Sequence, residues 1–415
     1  MRILVVTQYF WPENFRINDL CQELVRRGHE VTVLTGKPNY PSGTLFPEFK
    51  GSPEKFSEYK GSDVIRVPTT MRGQGSGRKL VVNYISYVLS ASIIGFFKLR
   101  KKKFDVTFVY EPSPVTVCLP AIFYKKLKGT PVVFWVQDLW PETLEAVGVV
   151  KSPKLLKLVG HMVKFIYNRC DLVLGQSKAF YDGIARYCND KKKIGYLPNW
   201  SEEFVLSHAK IDAVELIKND HSKFKILFAG NIGEAQDFPS IIKAMKILKE
   251  RGLDAKLFVV GDGRAFSQIK QEISELGLEY SIVLFGRYPL ESMPNFFEAV
   301  DALLVSLKDS PVFSMTIPSK IQSYMKAGKP ILTMLSGEGS RVVDEAHCGL
   351  IADSGDYSQL ANNMFTMATF SHEKLETLGK NAKAYAGKEF DRDTLISQLE
   401  SWFEEVAELS KEKQQ

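Results

Sequence analysis

Short β-branched apolar runs alternate with stretches of helical period along the whole chain. Ile3–Thr7 and Val31–Thr35 have the unbroken apolar character of strands buried on both faces. Between them Ile17, Leu20, Cys21 and Leu24 share one helical face, and Gly28 is the expected stop after Arg26 and Arg27. Val64–Val67, Val106–Tyr110, Val132–Val136 and Leu172–Leu174 continue the strand series, with apolar helical segments around 80–99, 115–127 and 154–168. A second series follows Leu197-Pro198-Asn199-Trp200: Lys225–Phe228, Leu257–Val260, Ile282–Phe285, Ala302–Val305 and Pro330–Met334, with helices between. Residues 392–411 predict a last amphipathic helix, with Leu395, Leu399, Trp402, Phe403 and Val406 apolar.

Strands alternating with helices predict an α/β fold with doubly wound sheets. The simplest architecture is two Rossmann-like domains facing across a cleft. The first spans 1–200, a polar linker 201–222, and the second domain 223–390; the C-terminal helix 391–415 is expected to return to the first. The 415 residues agree with this, since one core organises about 250–300. Ligands of such sheets bind beyond the carboxyl ends of the strands.

Composition changes the picture little: 45% hydrophobic and 25% charged residues exclude a disordered or fibrous chain. Five dispersed cysteines (Cys21, Cys118, Cys170, Cys188 and Cys348), without a C-x-x-C, argue against a disulfide framework or a cysteine zinc site and suit a reducing compartment. Met1–Thr7 enters a strand with no signal-peptide layout, so a cytoplasmic protein is expected.

Charge changes it more. Residues 1–200 carry 30 Lys and Arg against 16 Asp and Glu, a net of +14, whereas 201–415 carry 24 against 32, a net of −8. The first domain is therefore expected to face something anionic, whether phosphorylated lipid, membrane or nucleic acid. Leu80–Leu99 has the ~20-residue length of a bilayer span and lies between Arg78-Lys79 and Arg100-Lys101-Lys102-Lys103. Asn83, Ser86, Ser90 and Ser92 interrupt it, and spanning would break the first sheet. Either it lies on a membrane, greasy face outward and basic at its ends, or it is a core helix with a solvated lysine tail. The +14 favours the membrane.

The loop after the first strand, Gln8–Arg16, lacks the G-x-G-x-x-G that admits a pyrophosphate. Its aromatics and Arg16 suit a sugar or lipid-phosphate face, and equally a Trp-Pro cap packed on the core. In the second half, Gly230 and Gly233 follow a strand and lead towards a helix, where bare backbone N–H groups can cradle a phosphate. The next two strands end in Gly261-Asp262-Gly263-Arg264 and Gly286-Arg287, so a nucleotide-binding rim with forked arginine donors is expected. Phe313–Pro330 is the most informative stretch. Ser314, Thr316 and Pro318 lead into a helix whose opening turn carries Lys320, a cation beside unpaired N–H groups.

A family resemblance rests on seven ordered motifs. They are Arg27-Gly28-His29-Glu30-Val31-Thr32-Val33, Pro38-Asn39-Tyr40-Pro41-Ser42-Gly43, Gln137-Asp138-Leu139-Trp140-Pro141-Glu142, Leu197-Pro198-Asn199, Gly230-Asn231-Ile232-Gly233, Gly261-Asp262-Gly263, and Pro318-Ser319-Lys320 through Gly328-Lys329-Pro330. Spanning nearly the whole chain, they resemble GT-B glycosyltransferases of the retaining GT4 type, closest to bacterial O-antigen and capsule transferases of N-acetylfucosamine-type amino sugars. The resemblance implies a donor site at Gly230, Asn231, Gly233, Gln236, Arg264, Arg287, Ser314, Met315, Thr316 and Ser323. It implies an acceptor site at Asn14, Arg16, Asn39, Tyr40, Trp140 and Glu142, and catalytic roles for Asp138 and Lys320. The chain departs from the family pattern in three places. Met315 and Ser323 stand where the family has Glu-x7-Glu, whose second Glu contacts the donor ribose. Asn231 and Gln236 replace the Arg and Lys that hold the diphosphate, and Gln137 replaces a His. Lys320, with Arg264 or Arg287, is then expected to supply the positive charge.

The implied function is retaining transfer of a sugar, such as an N-acetylated amino sugar, from a UDP donor to an undecaprenyl diphosphate-type saccharide in surface polysaccharide synthesis. Front-face substitution, with no metal and no cofactor, is expected. Asp391-Arg392-Asp393 matches D-x-D but opens the last helix, where acids act as caps. Six scattered histidines lack metal-ligand spacing, His29 reads as a structural turn residue, and a hydrolase would need a G-x-S-x-G elbow. Asp138 is either an acceptor-orienting base or a helix cap. The rival readings are a nucleotide-sugar 2-epimerase, whose paired carboxylates the sequence does not reveal, and a non-catalytic sugar-nucleotide or RNA-binding protein. No nucleic-acid motif occurs, so no nucleic-acid partner is expected. The expected location is the inner face of the cell membrane, peripherally attached.

Overall fold

The β-branched runs of the first half pair into an eight-stranded sheet in the order β3-β4-β2-β1-β5-β6-β7-β8. The strands are β1 Arg2–Val6, β2 Glu30–Thr35, β3 Glu58–Tyr59, β4 Ser62–Arg66, β5 Val106–Glu111, β6 Val132–Val136, β7 Leu172–Gly175 and β8 Ile194–Tyr196. All neighbours are parallel except the β3–β4 hairpin. Parallel pairing requires crossovers that cover both faces, which explains the unbroken apolar runs. Val5, Val33, Phe108, Val109 and all of β6 are fully buried. The computed structural model describes residues 1–73, 77–146, 150, 152–201 and 211–412. The chain divides into two units, Met1–Pro198 with Asp393–Gln415, and Asn199–Arg392.

In the first unit the helix Arg16–Arg26 buries Ile17, Leu20, Cys21 and Leu24, the face expected from their spacing. The apolar segment is one long helix, Gly77–Leu99, with a π turn at Ala91–Gly95. Beside it packs Cys118–Lys128, followed by Pro153–Tyr167. The last helix, Arg392–Glu412, returns to this unit as expected. Phe403 packs edge-on against Phe108 of β5 at 5.4 Å. Glu400 accepts from Arg27 and pairs with His29, each at 2.6 Å, so the Arg27-Gly28-His29 turn clamps the helix.

The second unit is a six-stranded parallel sheet in the order β11-β10-β9-β12-β13-β14. Its strands are β9 Phe224–Ala229, β10 Ala255–Val260, β11 Ile282–Gly286, β12 Ala302–Ser306, β13 Ile331–Met334 and β14 Gly349–Ala352. Apolar layers cover both faces, one holding Ile321, Tyr324 and Met325 of the helix Ser319–Ala327, the other Ile241, Ile242 and Met245 of Phe238–Glu250. The chain reverses direction across each sheet, between β1 and β5 and between β9 and β12, the points where such folds bind ligands.

One expectation is corrected. Of the stretch read as a linker, 201–222, residues 202–210 lie outside the described residues, but Asp212–Lys218 is a helix. Its Ala213, Val214 and Ile217 are buried in the core of the second unit. A stripe of three apolar residues is too short for its period to stand out. β8 and β14 lacked a strand signal for a similar reason, being three and four residues long with a glycine in each.

Candidate active site

Parallel strands send every following loop out of the same sheet edge. In the first unit that edge gathers Gln8–Phe15 after β1, Gly36–Phe46 after β2, Val67–Gly73 after β4, and the loops after β5 and β6. Glu13 ties two of them together. Its Oε1 accepts the backbone N–H groups of Asn39 and Tyr40, each at 2.7 Å, and its Oε2 that of Phe10 at 3.0 Å. Burial pushes this carboxyl up to about 7, against the pull of the three N–H donors and the Arg66 charge. Arg66 in turn donates to the carbonyls of Gly36, at 2.9 Å, and Trp11.

Above this tie Tyr9 stacks on Phe15 at 5.6 Å, and Tyr40 packs against both rings. The Arg72 guanidinium lies 5.0 Å from the Tyr40 ring centre and 5.9 Å from that of Tyr9. Of the expected acceptor residues, Tyr40 is thus presented in a cluster and Asn14 is exposed in the preceding loop. Arg16 opens its helix half-buried. Asn39 is not presented: it is buried, donates to the Lys37 carbonyl at 2.8 Å and accepts the Arg72 N–H at 3.2 Å. Glu142 is turned to Arg186 at 2.9 Å, and the Trp140 ring is buried.

Asp138 follows β6, half-buried, and accepts the Thr143 hydroxyl at 2.5 Å. Burial pushes its carboxyl up. Behind it, at the end of β5, lies the fully buried Glu111. Glu111 Oε2 faces the Asp138 N–H at 3.4 Å, and Oε1 has no partner among the described residues. Burial and then the Asp138 charge push Glu111 well above the carboxylate range. Two neighbouring carboxyls are thus both pushed up, the deeper by its full burial and by its neighbour's charge, and only the shallower is within reach of a ligand. Tyr84 of the long helix joins them, meeting Ser113 beside both carboxyls. Glu13, Arg72, Tyr84 and Glu111 had no local signal as site residues, since each matters through neighbours distant in sequence.

In the second unit the loops after β9 and β10 interlock through glycine. A Cβ on Gly261, at φ +149°, would lie 1.8 Å from the Gly230 carbonyl oxygen. Gln236 closes the turn after β9, its Oε1 accepting from the Gly233 N–H at 3.0 Å and Asn231 Nδ2 at 3.2 Å. Asn231 and Gln236 therefore hold each other. Together with Gly233, Arg264 and Lys308 they line a cavity of about 680 Å³. Arg287 is exposed after β11 and does not line it. Ser314 and Met315 lie in a short helix, Pro311–Met315; the Ser314 and Thr316 hydroxyls donate to the carbonyls of Pro311 and Phe313. Ser323 lies on the same helix as Lys320, three residues on.

Lys320 is the unusual group. Its Nζ sits 3.7 Å from the centre of the Phe228 ring, and its stem crosses Gly230, where a Cβ would meet Cε at 2.4 Å. Among the described residues no carboxylate pairs with it. Burial alone pushes the ammonium down to about 7. An anion brought against such a lysine restores its proton and gains the charge interaction with it.

Comparison with known proteins gives two family matches, a "Glycosyl transferase 4-like domain" over residues 14–200 and "Glycosyl transferases group 1" over 212–385. The putative colanic acid biosynthesis glycosyl transferase WcaI of Escherichia coli K12 is 24% identical over 344 residues, 79% of this chain and 82% of that protein. N-acetyl-alpha-D-glucosaminyl L-malate synthase of Bacillus anthracis is 21% identical over 394 residues, 94% of this chain and 92% of that protein. The structure of Anabaena Alr3699/HepE in complex with UDP shares the two-sheet GT-B fold. Its TM-score is 0.71 at 16% identity, covering 98% of this chain and 100% of that one.

The buried Glu13 gives the first unit a pH-dependent stability of known sign. Its folded pKa of about 7 lies above its ordinary 4.5, so its contribution is full below 4.5 and is lost as pH rises through 7. The complete loss is ~3 kcal/mol. In urea unfolding between pH 5 and 8, Glu13→Gln should lose less stability with rising pH than the parent. Equal slopes would contradict the raised pKa.

Proposed function

The chain belongs to the group 1 (GT4) glycosyltransferases, and on that premise we propose that it moves a sugar from a UDP donor held by its second unit to a lipid-linked saccharide held by its first. Lys320 carries this reading: a half-buried cation set over an aromatic ring at a glycine turn, with no counter-charge among the described residues, suits a diphosphate. The UDP bound by Alr3699/HepE supports the nucleotide. The colanic acid biosynthesis in the name of the putative transferase WcaI supports a surface polysaccharide, and the N-acetyl-glucosaminyl group named for the Bacillus relative supports an N-acetylated amino sugar, such as N-acetylfucosamine.

In this reaction the acceptor hydroxyl oxygen bonds to the anomeric carbon as the bond from that carbon to the diphosphate breaks. The electron pair leaves on the β-phosphate, where Lys320 and the backbone N–H groups after β9 counter the charge. The hydroxyl proton passes to Asp138. Met315 and Ser323 supply no carboxylate nucleophile, so attack on the face that the diphosphate leaves, with retention, is the consistent course. The epimerase reading needs two carboxyls that both reach the sugar. Asp138 has a carboxyl neighbour, but Glu111 has no exposed surface, which favours transfer.

The same reading places the first unit on an anionic membrane at the inner face of the cell membrane. Outward from the long helix stand Val81, Val82, Ile85, Leu89, Ile93 and Phe97, each more than half exposed. Phe123 and Leu127, then Leu155 and Leu158, extend the apolar surface over the next two helices. Inward, Asn83 bonds Gln8 at 2.6 Å and Tyr87 bonds the carbonyls of Thr7 and Leu34. A helix so tied to the sheet can lie on a bilayer but cannot leave to cross one.

Incubation of labelled UDP-N-acetyl amino sugars in excess EDTA, with and without a polyprenyl diphosphate saccharide, tests the reaction. Product is expected only with acceptor and at the EDTA-free rate. An altered free sugar without acceptor would instead mean epimerisation, and rescue by magnesium would mean a metal.

Lys320→Met should weaken UDP binding by ~1.5–3 kcal/mol, roughly ten- to a hundredfold, while keeping the packing on Phe228. Because the free ammonium titrates near 7, parent affinity should fall as pH rises from 7 to 8.5, and the variant should lose that dependence. Calorimetry showing equal affinities would remove Lys320 from the site.

Pelleting with anionic vesicles at low salt, and much less with neutral vesicles or at high salt, is expected from the basic ends of the long helix. Each cation near the surface contributes about 1 kcal/mol within a Debye length. Lys102 is spent on an ion pair with Asp63, so replacing Arg100, Lys101 and Lys103 by Glu should abolish pelleting and leave UDP affinity intact. No pelleting of the parent would return the helix to a core role.

A further inference from the structure

We propose that Arg72 and Lys79 form the receptor for the diphosphate of the lipid-linked acceptor, a site that rests on the lipid-acceptor reading above. Arg72 is half-buried, its guanidinium over the Tyr40 and Tyr9 rings and its backbone N–H held by Asn39. Among the described residues it is in no ion pair. A guanidinium held by its backbone and two rings, without a carboxylate, keeps its forked donors for a ligand with paired oxygens, as a phosphate has.

Lys79 is placed beside it by Gly73. A Cβ on Gly73, at φ +66°, would lie 2.9 Å from Lys79 Cδ and 3.9 Å from its Nζ, so the lysine stem rests on that glycine. The Gly73 N–H bonds the Gly43 carbonyl at 3.0 Å, which docks this turn on the loop carrying Tyr40. Lys79 is likewise in no ion pair among the described residues. Two cations thus stand by Gly73 with no anion paired to them among the described residues.

The long helix relates this pair to the other chemistry of the unit. Just beyond Lys79 its outward side chains are Val81, Val82 and Ile85, and inward it carries Tyr84, which meets Ser113 near Asp138. Apolar face, cation pair and proton acceptor are therefore arranged around one helix end. A lipid-linked saccharide has the matching order: isoprenoid chain, diphosphate, sugar. The diphosphate fits Arg72 and Lys79, the chain fits the outer face, and the first sugar meets Tyr40 on the way to Asp138.

Farnesyl diphosphate titrated into the full-length protein, with UDP saturating the second unit, tests the site. Binding should persist with UDP present, and Arg72→Ala and Lys79→Ala should each weaken it by roughly tenfold or more. Farnesol should bind far more weakly than farnesyl diphosphate, and both variants should keep the parent affinity for UDP, which reports that they fold. Unchanged farnesyl diphosphate binding in Arg72→Ala would overturn the proposal, as would loss of parent binding when UDP is added. Inorganic diphosphate binding as tightly as farnesyl diphosphate would mean a general anion site and overturn the lipid assignment. Arg72-dependent binding without sugar transfer to any lipid diphosphate would count against the proposed reaction and leave this site standing.

Discussion

A lysine ammonium resting on an aromatic ring, with no acid paired to it among the described residues, is the interaction around which the turn after β9 is built. Lys320 crosses the turn after β9, and the residue beneath it is glycine because any Cβ at position 230 would occupy the space of the lysine stem. The Gly230 carbonyl then approaches β10 so closely that position 261 must be glycine too. The glycines after β9 and β10 thus follow from close approach around one cation, and the cation is expensive to keep charged unless a ligand brings the counter-charge. The diphosphate of the proposed donor would bring that counter-charge.

The first unit solves a different problem, holding irregular loops at a sheet edge while one helix faces outward with apolar side chains. Glu13 satisfies three backbone N–H groups that two loops would otherwise bury unpaired. The long helix has two unlike faces. Its inner polar groups, Asn83, Tyr84 and Tyr87, are engaged with the sheet and its loops, while its outer face is left to apolar residues.

Much of this was legible in the sequence, for physical reasons that differ by element. Parallel strands buried on both faces leave dense apolar runs, so β1, β2, β5, β6, β9, β10, β12 and β13 stood out, and half-buried β11 kept the run Ile282–Phe285, whereas the short, glycine-containing β8 and β14 did not show. Pro318-Ser319-Lys320 marked a helix start, and the structure puts its cation over Gly230. The mutual bond of Asn231 and Gln236 was not legible, because their spacing is also that of two ligands on one loop. Asn39 was read as an acceptor ligand and is a buried loop tie. Glu13, Arg72 and Glu111 went unread because a carboxylate or guanidinium shows its role only once burial and distant partners are known.

The most direct measurement is an NMR titration of Lys320 itself, with lysine labelled at Cε and the signal assigned through Lys320→Met. The account predicts a midpoint near 7 in the free protein, moving up by ~1–3 units when UDP saturates the second unit. A midpoint in the free protein at the ordinary lysine value of about 10.4, or one that UDP leaves in place, would contradict it.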